Sequence, residues 1–291
     1  MSELFRYLIA GIAVGSIYGL VALGFVLVFK ATSVLNFAQG EFLMLAAYLA
    51  VTAAVTNSFG LAVSLLFVVL ALSIVGVVMH FGVTKKLIGE PPFTLILVTI
   101  GVAIVIRGGL LMFYGPLERS SVDLLPAGGF TIGDVPVTWI DVIMFTVAVV
   151  CSAAFFAFFR WTTMGLKMRA TAENLEAAKV VGIRPGQVFL MAWVIAAFVA
   201  GIAGFFYANR VAVVSLSLSA IGLRAFPAAM LGGITSVEGA LIGGIIVGVV
   251  EQVGAGYLGG EWRDVFAFSI MLLVLLIRPS GLFGDKELVR V

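Results

Sequence analysis

Charge is scarce in this sequence, with 17 basic and 15 acidic residues in 291, so the places that keep it narrow the chemistry the chain can do. In KATSVLNFAQGEF (30–42), Asn36, Gln39 and Glu41 lie between two apolar stretches. Two amides and a carboxylate there either form a simple turn between helices or line a pathway for polar solutes. Arg107 stands inside the apolar run TIGVAIVIRGGLLMFYGP. An ionised side chain at such a position is costly, so it pairs inside the protein, meets a substrate carboxylate or snorkels to the headgroups. RWTTMGLKMRATAENLEAAKVVGIRPGQ (160–187) keeps Arg160, Lys167, Arg169, Glu173, Glu176, Lys179 and Arg184, whereas only 11% of the whole chain is charged.

The residues needed for catalysis are not grouped anywhere. The single cysteine, Cys151, sits in an apolar run and reads as packing, and the single histidine, His80, reads as an interfacial residue near a span end. No G-x-x-x-x-G-K-[ST] phosphate loop occurs, so nucleotide is expected on other subunits and neither cofactor nor metal on this one. A membrane enzyme is therefore disfavoured against a transport protein.

The chain is 62% hydrophobic with a mean hydropathy of +1.21, far from a soluble domain with its ~25% charged residues. Segments 7–29 and 185–209 carry no charge, and 42–84 carries only His80 as a titratable cation. Each is long enough for the roughly 20 helical residues that cross a bilayer, and the short alternating segments of a barrel are missing. The expected fold is all-α: one polytopic membrane bundle, residues 1–291, of about 8–10 passages. The leading segment carries both Glu3 and Arg6 and a long apolar run, so it is expected to remain as the first span.

Glycine patterns add detail. Gly11, Gly15 and Gly19 recur every fourth residue on one face of the first span, the spacing that lets two membrane helices approach closely. Beyond Arg210 the uncharged runs shorten, and MLGGITSVEGALIGGIIVGVVE (230–251) is rich in glycine, suggesting short broken or re-entrant helices with Glu238 and Glu251 at two interfaces. With the N-terminus outside and the C-terminus inside, Lys30, Lys85, Lys86, the five bases of 160–187, Arg278, Lys286 and Arg290 fall inside. Only Arg6, Arg119, Arg210 and Arg263 fall outside, as the positive-inside rule requires. The loop 113–139, rich in Gly and Pro and with a potential hairpin in TIGDVPVTW, is then extracytoplasmic, and 160–187 is cytoplasmic.

Within that cytoplasmic stretch, ATAENLEAAKVV predicts one helix, with Thr171 at its start and Gly182 and Pro185 stopping it. Leu175, Ala178, Val181 and Gly182 would form a small apolar face, and Glu176 and Lys179 an i,i+3 pair. Its small apolar face and two acids suit docking to a soluble protein better than lying on anionic lipid.

EAAKVVG (176–182) resembles the Glu-Ala-Ala-x-x-x-Gly coupling loop of ABC importer permeases. GSIYGLVALGFVLVFKATSVLNFAQGEFLMLAAYLA (15–50), GLRAFPAAMLGGITSVEGALIGGIIVGVVE (222–251) and LIRPSGLFG (276–284) resemble the branched-chain (hydrophobic) amino-acid permeases of that group, and NFAQGEF its H-type member. Arg107 departs from that pattern, which usually has an uncharged residue there. The resemblance implies a permease subunit in a bacterial or archaeal inner membrane, surrounded by lipid and binding no nucleic acid. It would work with an M-type permease, two cytoplasmic ATPases that carry ATP-Mg, and an extracytoplasmic binding protein. It also implies ATPase coupling through Thr171, Glu173, Leu175, Glu176, Ala177, Ala178, Lys179 and Gly182. The substrates implied are branched-chain or other small amino acids, or related amides and acids. The alternative, an ATP-independent secondary carrier or channel, would be expected to bury carboxylates in its long spans, and the long uncharged runs hold none.

Overall fold

The computed structural model describes residues 2–87, 90–120, 122–133 and 135–284; Lys286 and Arg290, assigned above to the inner side, lie outside the described residues. Among the described residues eleven α-helices are formed: α1 Ser2–Thr32, α2 Gln39–Val51, α3 Leu61–Gly82, α4 Pro92–Tyr114, α5 Trp139–Trp161, α6 Thr163–Glu173, α7 Leu175–Val180, α8 Pro185–Arg210, α9 Ala220–Gly232, α10 Val237–Leu258 and α11 Arg263–Ile277. Four short strands, β1 Arg119–Ser120, β2 Gly129–Ile132, β3 Val135–Thr138 and β4 Val213–Val214, lie in the connections. Seven helices among the described residues are long and apolar enough to cross a membrane: α1, α2 extended by a π-helical turn to Thr56, α3, α4, α5, α8 and α10. The protein is thus an all-α polytopic membrane bundle.

Helix boundaries follow local chemistry. α1 stops where Ser33 takes a left-handed backbone (φ 56°). Pro92 and Pro185 open α4 and α8 at the first turn, where a missing N–H costs nothing. Ser236 caps α10, its Oγ accepting from the Gly239 N–H at 3.0 Å.

The helices gather into two compact units interleaved along the chain. One comprises residues 1–26, 126–154 and 223–291. Here α1 meets α10 through bare backbone. A Cβ on Gly11 would lie 2.6 Å from the Val249 Cα, one on Gly15 2.6 Å from the Gly244 carbonyl oxygen, and one on Gly19 3.0 Å from the Leu241 Cα. No side chain fits at such separations, and the gain is dense van der Waals contact that lipid cannot supply. The Tyr18 hydroxyl donates to Glu251 Oε2 at 2.7 Å, and Arg224 Nε of α9 pairs with Asp264 of α11 at 2.6 Å. β2 and β3 form an antiparallel hairpin. The terminal LIRPSGLFG closes on the end of α9, where Leu282 and Phe283 N–H groups donate to the Leu231 and Gly232 carbonyls at 2.9 and 3.0 Å.

Two expectations change here. α10 itself runs unbroken for 22 residues, and the short helices expected beyond Arg210 are α9 and α11, of 13 and 15 residues. Glu251 marks no interface, because it lies within α10, buried, where it accepts from the Tyr18 hydroxyl.

The other unit comprises residues 27–125 and 155–222 and is centred on α8, against which α2 and α3 pack. Phe42, Tyr48, Leu72, Trp193 and Phe205 are fully buried there. Gly76 of α3 admits the backbone of α8, since a Cβ on it would lie 2.6 Å from the Trp193 carbonyl oxygen. His80 stands in the last turn of α3 and is buried, its Nδ1 3.3 Å from the Thr84 hydroxyl. On α3 an outer stripe of Leu66, Leu70, Ile74 and Val78 is exposed, the face such a helix presents to lipid or to another subunit. β1 pairs with β4, joining the start of the 113–139 loop to the segment that follows α8.

Overpacking at a backbone-on-backbone contact costs about 1–3 kcal/mol or more. Gly15→Leu is therefore expected to lower the melting temperature of the purified protein by several degrees, whereas Gly101→Leu, in α4 with open space around its Cβ position, leaves it unchanged. Equal melting curves for the two variants would contradict the close approach of α1 and α10.

Candidate functional site

Two polar regions of the second unit collect most of the chemistry-bearing residues. The first is the segment after α5. Thr162 leaves the helix with an extended backbone and caps α6, its Oγ1 accepting from the Gly165 N–H at 3.0 Å. α6 ends at Asn174, which is again extended (φ −155°, ψ 105°). Its Oδ1 accepts from the Ala177 N–H at 2.9 Å, starting a second, six-residue helix, α7. The single helix expected over 170–181 is therefore two, because Asn is among the strongest N-caps and here interrupts a run of otherwise good helix formers. Thr171 does not start it; it lies within α6, buried, with its hydroxyl donating to the Lys167 carbonyl at 2.7 Å.

The end of α7 accounts for the spacing of its motif. Gly182 adopts φ 82°, a left-handed conformation that costs other residues ~1–2 kcal/mol. Its N–H donates to the Lys179 carbonyl at 3.0 Å and the Ile183 N–H to the Ala178 carbonyl at 2.9 Å, the paired bonds of a Schellman motif. Glu176 lies in the first turn, favourable to the helix dipole, and accepts from Lys179 Nζ at 2.6 Å. Ala178 is buried at 3% exposure where α7 meets α8, with Leu175 half-buried beside it, while Glu173, Glu176, Ala177, Lys179 and Gly182 are exposed.

Val181 leaves the apolar face expected for it. It is the C-cap, where the helical repeat has ended, and is 74% exposed; Val180 is 86% exposed. Val180 did not enter the expected face, although the sequence carried a signal for it: two residues past Ala178 is about 200° around a helix, so burying Ala178 turns Val180 outward. α7 is thus a short element, capped at both ends, that presents two bare valines and an ion pair.

The second region is the break between α1 and α2. Asn36 and Gln39 are fully buried and hold the break together. Asn36 Oδ1 accepts from the Ala38 N–H at 3.1 Å, its Nδ2 donates to Gln39 Oε1 at 3.0 Å, and Gln39 Nε2 donates to the Ala196 carbonyl of α8 at 3.2 Å. The Phe37 N–H donates to Thr99 Oγ1 of α4 at 3.2 Å. Backbone that is not helical thereby finds partners in a region where water cannot supply them.

Glu41, two residues on, faces elsewhere. Its Oε1 lies 3.7 Å from Arg107 Nη2, and the same Nη2 donates to Ser219 Oγ, whose own hydroxyl donates to the Leu216 carbonyl at 3.1 Å. Gly40 makes the meeting possible, since a Cβ on it would lie 2.9 Å from the Gly222 Cα. The structure thus brings Glu41 and Arg107 together with Ser219, a residue that sequence reasoning missed and that only the fold delivers. It leaves Asn36 and Gln39 occupied with backbone and with each other.

Residues 7–275 match the model of the family described as branched-chain amino acid transport system / permease component. Over 308 residues covering all of both chains, the protein is 30% identical to the high-affinity branched-chain amino acid transport system permease protein BraD of Pseudomonas aeruginosa. It is 31% identical over 315 residues, again covering both chains fully, to the corresponding permease protein LivH of Salmonella typhimurium. A probable LivH of Methanocaldococcus jannaschii is 30% identical over 281 residues, covering 91% of this chain and 88% of that one. The chain belongs to the branched-chain amino acid permease family of ABC transporters, as a multi-pass transport subunit that is not itself catalytic.

Proposed function

We propose that this chain forms half of the membrane path of an ATP-driven importer for branched-chain or other small aliphatic amino acids, and that α7 is the element through which the ATPases act on it. In this reading the whole chain works as one permease domain in the inner membrane. The 160–187 segment lies in the cytoplasm, 113–139 faces the binding protein outside, and the N-terminus is outside. An M-type permease completes the path, and two ATPase subunits bind ATP-Mg beneath it.

The observation that carries the proposal is the construction of α7. A helix of six residues has no stability of its own in water, yet this one is capped by Asn174, closed by Gly182 and packed against α8, with Ala178 buried. Coupling needs an element that moves as a body and has a partner to push it, since a flexible loop would transmit nothing. Val180 and Val181 offer the apolar contact for a groove on the ATPase, and the Glu176–Lys179 pair its polar rim. Seating on α8, the helix at the centre of its unit, gives the displacement a route into the spans.

Glu176→Lys removes the ion pair and places a second cation in the docking surface. Uptake by the assembled transporter is expected to fall at least about 10-fold, on the scale of a lost charged hydrogen bond, and the ATPases to dissociate more readily, with the membrane domain still folded. Normal uptake by that variant would contradict the docking role. Gly182→Val forces a β-branched residue into a left-handed backbone; it is expected to uncouple ATP hydrolysis from uptake while melting of the spans stays unchanged, and coupled transport at the wild-type rate would count against α7 as a rigid coupler.

A further inference from the structure

Arg107 of α4, Glu41 in the first turn of α2 and Ser219 in the turn before α9 form an ionic cluster that the coupling mechanism does not use. As a purely structural ion pair it is poorly made. Buried Arg–carboxylate pairs repay their desolvation when they are short, about 2.7–2.9 Å, and bidentate. This one is 3.7 Å long and runs through Nη2 alone, the same nitrogen that donates to Ser219. Among the described residues Nη1 and Nε of Arg107 make no hydrogen bond.

The exposure of the pair is also uneven. The Arg107 side chain is 54% open and that of Glu41 12% open, so a recessed carboxylate lies beneath an arginine whose fork is available from one side. Such a face cannot rest against hydrocarbon without heavy cost, so it faces water or protein. Ile104 and Leu111, one turn before and after Arg107 on the same face of α4, are 67% and 45% exposed. Two opposite charges at contact distance are thus flanked by open aliphatic surface.

We propose that this cluster is a recognition site for the charged head of an aliphatic α-amino acid during its passage through the permease. It deepens, and rests on, the amino-acid reading above. Arg107 takes the α-carboxylate with its free fork, and Glu41 takes the α-ammonium, two groups that sit on one carbon and so match a contact pair. Ser219, anchored to the Leu216 carbonyl, is a positioning residue that holds Nη2. The side chain of the substrate lies along Ile104 and Leu111. A zwitterion crossing an apolar region must exchange its water for counter-charges, and the loose Arg107–Glu41 contact can open to provide both. The two charges hold each other between transport cycles.

The test is uptake of radiolabelled leucine into proteoliposomes holding the complete transporter, with its binding protein saturated with leucine. Arg107→Gln, Glu41→Gln and the double variant are compared in complexes of wild-type subunit composition and melting temperature. Each single variant is expected to lower uptake about 10-fold or more, and the double variant to be no better than either. Uptake restored in the double variant would show that the charges serve only to neutralise each other, and undiminished uptake in the singles would equally overturn the site. If the neutral variants do not assemble, Arg107→Lys, which keeps the charge and loses the planar fork, is expected to assemble and to transport poorly; full uptake with lysine would overturn the proposal. A wild-type complex that imports no amino acid at all would instead overturn the substrate reading on which the site depends.

Discussion

Because lipid gives apolar helices no hydrophobic reason to associate, the protein must draw cohesion from the closeness of its contacts and the completeness of its polar pairing. The contact between α1 and α10 is the clearest case. Gly11, Gly15 and Gly19 meet Gly244 and Val249 at separations that leave no room for a Cβ, and the same close approach lets Tyr18 reach Glu251. In the other unit, Gly76 lets α3 settle on α8, and Gly40 lets the start of α2 touch the start of α9. Small residues thus decide which charged residues can meet.

Polar completeness explains the rest. The α1–α2 break would leave bare N–H and C=O groups in an apolar setting, and Asn36, Gln39 and Thr99 take them up. Because that backbone is fixed, Glu41 projects from a rigid start of α2 towards Arg107. In the 160–187 segment the same logic applies: Thr162, Asn174 and Gly182 satisfy successive helix ends, and a segment too short to be stable alone becomes a defined body. In the proposed reading one element is pushed and the other is passed. They share the unit centred on α8, a connected support between a coupling surface and the ionic cluster.

Much of this was legible in the sequence because it depends on local spacing. The long spans, the four-residue glycine repeat, the polar break at 30–42 and the stop at Gly182 follow from composition and periodicity. What was not legible depends on distant partners. Glu251 looked like a boundary because its partner, Tyr18, lies 233 positions away, and α10 looked broken because the close contact its glycines make with α1 is invisible in the local pattern. Ser219 gave no signal, since nothing local distinguishes it from its neighbouring serines until α4 brings Arg107 to it. The division of α6 from α7 lay between these cases: Asn174 was visible, but its capping preference had to be weighed against a strongly helical run, and only the extended backbone decides for the cap.

The central claim is that the chain is one part of an ATP-driven assembly and that force enters it through α7. The most direct measurement is gentle-detergent purification of this chain from native membranes, with identification of every co-purifying polypeptide and assay of ATP hydrolysis. The account predicts ATPase subunits and a second permease in fixed proportion to this chain, with ATP hydrolysis stimulated by a substrate-loaded binding protein. Recovery of this chain alone, without ATP hydrolysis but able to move substrate in liposomes, would contradict it.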